Sequence, residues 1–190
     1  MSSRLKLTAT SPAQTFTEPL TIFDIKQFCE IPDADTTRDL LLGAYAKAAR
    51  EVAELRQGRD LVLKQYDLTM DCLPCRIELR EGAVSVDAFQ YRDSAGDWTG
   101  IADYIFDADA CLVMPPYGEM WPLFTPYPSS AVLLRYTVSP AQVDEQVLMG
   151  MRYLVSQWYH NRIPAEAASG QIQQYPYALG LLDHGRVERV

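Results

Sequence analysis

The hydrophobic period of the chain changes twice, and the changes divide it into segments. In "EPLTIFDIKQFCEI" Thr21 stands where a helix cap belongs, with Asp24 three residues on, a variant of the capping box. Leu20 and Ile25 hold the two positions of a hydrophobic staple. This pattern predicts a short helix over about 22–29, stopped before Pro32. In "DADTTRDLLLGAYAKAAREVAELRQG" apolar residues recur at Leu41, Tyr45, Ala48, Val52 and Leu55, in alternating steps of four and three. They predict a helix over about 36–57, capped by Asp35 or Thr36 and closed by Gly58.

From about residue 61 the period falls to two. "KQYDLTMD" alternates through Tyr66, Leu68 and Met70 and reads as a strand. "RIELREGAVSVDAFQYRDSAGDWTGI" reads as strand, turn, strand and a hairpin through Ser94–Asp97. "DYIFDADACLVMPP" gives two short strands with a turn near Asp107–Asp109. "PPYGEMWPLFTPYPSS" carries five prolines in sixteen residues and must be a long loop. "AVLLRYTVS" is one apolar strand. About six short strands are thus expected over 61–137.

A last long helix is expected over about 140–161, with Ser139 as cap, Pro140 at the first helical position and Gln142 completing a capping box. Val138 and Val143 make its staple. Beyond a polar stretch, Tyr177, Leu181 and Leu182 sit at helical spacing in "YPYALGLLDHGRV". Strands grouped together with helices at both ends indicate α+β, an antiparallel β region inserted into a mainly helical core. The expected division is a domain over 1–163 and a C-terminal linker and tail over 164–190.

The late helix, "VLMGMRYLVSQWYHNRIP", holds the candidate chemistry. Val147, Met151, Leu154 and Trp158 form one stripe, and Leu148, Val155 and Tyr159 a second. With Val143, Met149 and Tyr153 they cover most of the circumference. A helix this apolar is buried on several sides, and in a small chain a second subunit can supply the extra burial. His160 lies beyond the apolar block. As a catalytic base it would need an activated serine or cysteine, and Gly-x-Ser-x-Gly is absent. His184, in "DHGR", has no spacing that links it to His160. No Walker or Rossmann phosphate loop and no metal-binding helix occurs. The sequence therefore predicts no catalytic residue, no metal and no cofactor, and a surface or interface role for His160.

Composition narrows the classes further. The 190 residues suffice for one ordinary domain, with 48% apolar and 22% charged residues. No apolar run reaches the ~18 residues of a membrane helix. "MSSRLKLTATSPAQ" has no apolar core of signal-peptide length, so secretion is not expected. Seventeen basic residues against 25 acidic ones give a net charge of −8, which opposes a grip on nucleic acid by phosphate neutralisation. From Val84 to Asp109 six aspartates face one arginine. Cysteines occur at 29, 72, 75 and 111. Cys72 and Cys75 have Cys-x-x-Cys spacing, but strand-like flanks argue for a loop between two strands. A small cytoplasmic metal-binding or thiol-redox protein using that pair is the alternative reading, and a free-standing dimeric binding module is a third.

The ordered set of motifs resembles the head–tail connector, or adaptor, proteins of tailed bacteriophages and related gene transfer agents. The residues that carry the resemblance are Pro19–Leu20–Thr21 before a short helix, "AELRQGR" from Ala53 to Arg59, "KQYDLTMD" with Tyr66 at an aromatic position, "YRDSAGDW", and "QWYHNR" from Gln157 to Arg162. Gln57 replaces a common threonine and His160 a common glutamate. The resemblance implies a non-enzymatic virion protein at the head–tail junction, assembled in the host cytoplasm. About twelve copies would form a ring below the portal protein and extend the DNA channel. A downstream stopper or tail protein would attach beneath, and DNA would pass without specific binding. The expected subunit interface comprises Leu41, Tyr45, Val52, Met151, Leu154, Trp158, Tyr159 and Arg162. Portal docking is expected at Tyr177, Leu181, Leu182 and Arg186. An acidic channel surface is expected at Asp87, Asp93, Asp97, Asp103, Asp107 and Asp109.

Overall fold

The computed structural model describes residues 3–7, 18–139, 142–160 and 176–183. Its elements in chain order are β1 (Ser3–Leu7), α1 (Ile22–Phe28), α2 (Asp39–Gln57), β2 (Lys64–Met70), β3 (Ile77–Glu78), β4 (Ala83–Arg92), β5 (Trp98–Gly100), β6 (Ile105–Asp107), β7 (Leu112–Met114), β8 (Val132–Val138), α3 (Glu145–His160) and α4 (Pro176–Leu182). The fold is α+β. The chain divides into two compact units, one built from the eight strands and one from the four helices.

In the helical unit α1 starts as the capping residues require. The Thr21 hydroxyl accepts the Asp24 N–H at 3.1 Å, and the Asp24 carboxylate takes the Thr21 N–H at 3.2 Å and hydroxyl at 2.7 Å. Leu20 and Ile25 are both buried, as the staple demands. The hydroxyl bond from Thr21 holds the Asp24 carboxyl below the usual carboxylate range. A lowered folded pKa stabilises above the unfolded value, and the gain is lost as pH falls through the folded value. Thr21→Ala is expected to cost about 1 kcal/mol at neutral pH. The deficit should shrink in acid as Asp24 protonates, a trend that urea melts at several pH values will check.

The helix α2 begins three residues later than Thr36, because Asp35 directs its carboxylate to a local turn. Asp35 Oδ1 accepts the Thr37 N–H at 3.0 Å and the Thr37 hydroxyl at 2.6 Å. Arg38 takes the cap position without a side-chain bond to the helix. Gly58 closes α2 at φ 71°, the left-handed conformation that glycine adopts without penalty.

Ser139 is not the cap of α3. Its N–H bonds the Gly82 carbonyl at 3.0 Å and so remains with β8. The helix starts at Glu145, after the Asp144 carbonyl takes the N–H groups of Val147 at 2.9 Å and Leu148 at 3.1 Å. Pro140 and Ala141 lie outside the described residues. The core of this unit joins Leu20, Ile25, Leu42, the alanines of α2, Val147, Met151, Leu154 and Val155, and it includes Ala178 and Leu182 of α4.

In the β unit a five-stranded antiparallel sheet runs β1-β2-β8-β4-β5, and a three-stranded one runs β3-β7-β6. The strand β1 was not anticipated; it pairs with β2, Ser3 opposite Met70. The alternation in β2 and β8 sets the layers. Tyr66 faces Tyr136, Leu68 faces Leu134 and Met70 faces Val132, and all six are buried. Their core also takes Ile77 of β3 and Val113 of β7, so the two sheets share one apolar interior. On the other face Asp67 opposes Arg135 and accepts two bonds from it, at 2.7 and 3.0 Å. Two irregularities in the β4–β8 ladder, at Ala83/Ser85 and Val86/Ala88, interrupt the alternation of β4.

The proline-rich segment is a long loop, as expected, but it is packed. Trp121 meets Phe89 edge-on at 5.4 Å, Phe124 lies 4.3 Å from the Tyr91 ring, and Arg92 sits 4.1 Å over Tyr127. No helix among the described residues is long and apolar enough to cross a membrane.

Candidate functional site

Helix α2 is apolar on two adjacent flanks, one fully buried in its own core and the other only partly covered. Leu42, Ala46, Ala49 and Ala53 are buried. The small side chains let the neighbouring helices approach closely. The adjacent flank carries the stripe found in the sequence, and Tyr45 and Val52 on it pack against the margin of the core. There Leu41, Tyr45, Ala48 and Val52 are half-buried, and Leu55 is 85% exposed, with Leu40 at 94%. Beside Tyr45 the Trp158 ring of α3 stands 6.0 Å away. Tyr159 is half-buried, with Arg38 donating to its hydroxyl and stacking over its ring at 5.6 Å. Together these side chains make an apolar and aromatic surface around the stripe of α2.

Of the residues expected at a subunit interface, Leu41, Tyr45, Val52, Trp158 and Tyr159 thus keep accessible surface. Met151 and Leu154 are sealed in the core at 0% and 2% exposure, so they support α3 from behind. Arg162 lies outside the described residues. His160 is exposed at the end of α3, with its ring 5.3 Å from that of Tyr159; His184 lies outside the described residues.

A polar network missed by the hydrophobic pattern braces this surface. Arg50 is 4% exposed and bonds Glu18 at 2.9 Å and Glu54 at 3.0 Å. Glu54 also accepts the Leu61 N–H at 3.0 Å. Burial alone would lower the Arg50 pKa, but Glu54 and Glu18 hold it above its ordinary value. Gln57 donates to the Leu182 carbonyl, and Arg59 pairs with Asp144 at 3.1 Å. The "AELRQGR" segment therefore closes α2 and ties it to α4 and the start of α3. The spacing of Arg50 and Glu54 on an alanine-rich flank was the available sign.

The expected docking residues divide. Leu182 is fully buried against α3, Leu181 is half-buried, and Tyr177 is exposed with its ring edge-on to Tyr153 at 5.2 Å. Arg186 lies outside the described residues.

The six aspartates also divide. Asp93 builds the β4–β5 turn, accepting the N–H groups of Ala95, Gly96 and Asp97 at 2.9, 3.0 and 3.2 Å. Asp107 accepts the Ala110 N–H at 3.0 Å. Asp87 accepts from Gln65 at 2.8 Å, Ser85 at 2.9 Å and Thr137 at 2.6 Å, on the polar side of the sheet. Asp97, Asp103 and Asp109 are exposed. Among the described residues no group of three or more His, Cys, Asp or Glu is placed to hold a metal ion.

No family model and no curated protein matches the sequence. Solved structures do match the fold. A chain in the neck of an empty GTA particle, computed with C6 symmetry, has a TM-score of 0.70 at 20% identity, over 98% of this chain and 97% of that one. A chain in the neck of a native GTA particle with C12 symmetry gives 0.65 at 20% identity, with the same coverage. A chain of the virion of a native gene transfer agent particle gives 0.63 at 20% identity, over 93% and 97%.

Proposed function

We propose that the protein is a neck subunit of a tailed, phage-like particle, a head–tail connector that assembles as a ring of about twelve copies. The observation that carries this reading is the fold shared with gene-transfer-agent neck chains over nearly the whole length. The outward stripe of α2 supports it. Leu40 and Leu55 are exposed and Leu41, Tyr45 and Val52 only half-buried, an apolar edge that the chain's own core leaves partly open, and the occupant is a second copy of the chain. In a cyclic ring each subunit offers this flank to a different surface of its neighbour.

On this reading the role is structural, without catalysis, cofactor or metal. The partners are the portal protein above and a stopper or tail protein below, and the location is the head–tail junction of the virion after assembly in the host cytoplasm. Over 1–163 the chain forms the connector body, and 164–190 reaches the portal, with Tyr177 and Leu181 among the accessible side chains of α4. The exposed Asp97, Asp103 and Asp109 add negative charge to the β unit. A lumen lined by carboxylates repels duplex DNA, so DNA passes without the salt-sensitive grip of a basic surface.

Native mass spectrometry of the purified chain, alone and mixed with portal protein, tests the reading. A ring of about twelve subunits in either sample is the expected result. Leu55→Asp should abolish it while leaving the circular dichroism spectrum intact, because that side chain is exposed in the single subunit. Monomer in both samples, or a zinc-loaded monomer, overturns it.

A further inference from the structure

The Cys-x-x-Cys turn belongs to the β unit, not to the α2 stripe, and it is firmly built in. Its four residues, Cys72 to Cys75, connect β2 to β3 and are anchored at several points, none of which uses a sulfur. Before it, the Asp71 carboxylate accepts the Ser130 N–H at 2.9 Å. After it, Ile77 is buried and pairs with Val113. Leu73 packs on the core of the unit. The Trp121 indole donates to the Pro74 carbonyl at 2.7 Å, so the proline-rich loop is pinned to this same turn. Cys72 and Cys75 both line one cavity of about 460 Å³, whose other walls include Pro115, Met120, Trp121 and Phe124.

All four cysteines are free thiols, but they differ in access. Cys29 is buried, and burial raises its pKa, which suppresses the nucleophilic thiolate. Cys111 is half-buried and donates to the Ala108 carbonyl at 3.4 Å. Cys72 is half-buried and Cys75 exposed. The chain bends at both cysteines. Three residue steps reach at most about 11 Å when fully extended, and a disulfide needs ~4.4–6.8 Å between α-carbons, so closure asks only for a local adjustment of this turn.

We infer that Cys72 and Cys75 are a reversible redox pair, a modification site that small-molecule disulfides oxidise to an intramolecular disulfide. The Cys75 thiolate attacks one sulfur of the oxidant, forming a mixed disulfide and expelling one small thiol. The Cys72 thiolate then attacks the Cys75 sulfur, forming the internal bond and expelling the second small thiol. Two protein thiols are oxidised, and their electrons and protons leave on the two small thiols. Resting on the neck reading, the pair is reduced during assembly in a reducing cytoplasm and closes once the particle meets an oxidising medium. Closure then fixes the turn on which Trp121 and the proline-rich loop sit.

The test treats the folded full-length chain with oxidised glutathione, then alkylates remaining thiols in denaturant and maps them by mass spectrometry. Before alkylation the expected product is two hydrogens lighter than the reduced chain; after it, Cys72 is linked to Cys75 and only Cys29 and Cys111 carry the label. Cys72→Ser should stop at a stable glutathione adduct on Cys75. Tryptophan emission should change on oxidation of the wild type and stay constant in Trp121→Phe. Separate glutathione adducts on both cysteines, or four alkylated thiols under conditions that modify Cys75 in Cys72→Ser, would overturn the inference. Failure of the neck reading shows instead as the absence of a ring and leaves the mass result untouched.

Discussion

Arg50→Ala is expected to destabilise the helical unit by about 3–5 kcal/mol, the largest effect of any single substitution outside the apolar core. Arg50 is enclosed between Glu18 and Glu54, and Glu54 is itself buried. Truncation takes the Arg50 cation from the Glu54 carboxylate in a place that water reaches poorly. A hydrogen bond such as that from the Leu61 N–H does not replace a full charge. A loss of this size is a large share of the ~5–15 kcal/mol that holds a typical domain together. Guanidinium melts followed by helix signal should show a much lower midpoint for Arg50→Ala. The double variant Arg50→Met with Glu54→Leu removes both charges and should recover most of the loss. An unchanged midpoint in the single variant would mean that the pair is solvated in solution.

Gly150→Leu is expected to release α4 from α3. A β-carbon at position 150 would stand 2.9 Å from Leu182 Cδ2, 3.1 Å from Leu182 Cγ and 3.1 Å from the Ala178 carbonyl. The leucine side chain can turn away, but the Ala178 carbonyl is backbone, so the helix itself must move. A seven-residue helix does not stand alone in water. Its docking rests on burial of Ala178 and Leu182, the Gln57 bond to the Leu182 carbonyl, and the Arg56 bonds to Asp183 at 2.9 and 2.8 Å. Losing the Leu182 contact alone is worth about 2–5 kcal/mol. Hydrogen exchange should show protection lost across residues 178–182 and retained in α2 and α3. If exchange there is unaltered, the glycine contact does not govern docking. Release would also expose Leu182 beside Tyr177 and Leu181. Portal binding by Gly150→Leu therefore separates docking by α4 in place from docking by α4 set free.

The sequence by itself determined what local bonds control. Thr21 and Asp24 cap α1 because the partners lie within four residues of each other. Gly58 ends α2 because few other residues take a positive φ at little cost. The alternation in β2 and β8 named the buried side chains, since neighbouring strand residues point to opposite faces. Five prolines excluded any regular element between β7 and β8. The outward stripe of α2 was also legible as a period. The sequence could not say that this stripe is only partly covered, because both flanks of the helix are apolar enough to be buried. Tertiary packing chose the alanine flank, where helices approach closely and Arg50 meets Glu18, 32 residues away. Distant partners decided the other surprises. Ser139 is an ideal cap by type, but the Gly82 carbonyl across the sheet takes its N–H. Five residues of β1 carry too little pattern to announce a strand, and its ladder exists only because β2 offers an edge more than fifty residues on. A local signal fixes an element when its bonds close within a few residues. Where the competing bond comes from afar, burial and ladder pairing over the whole unit outweigh the local preference.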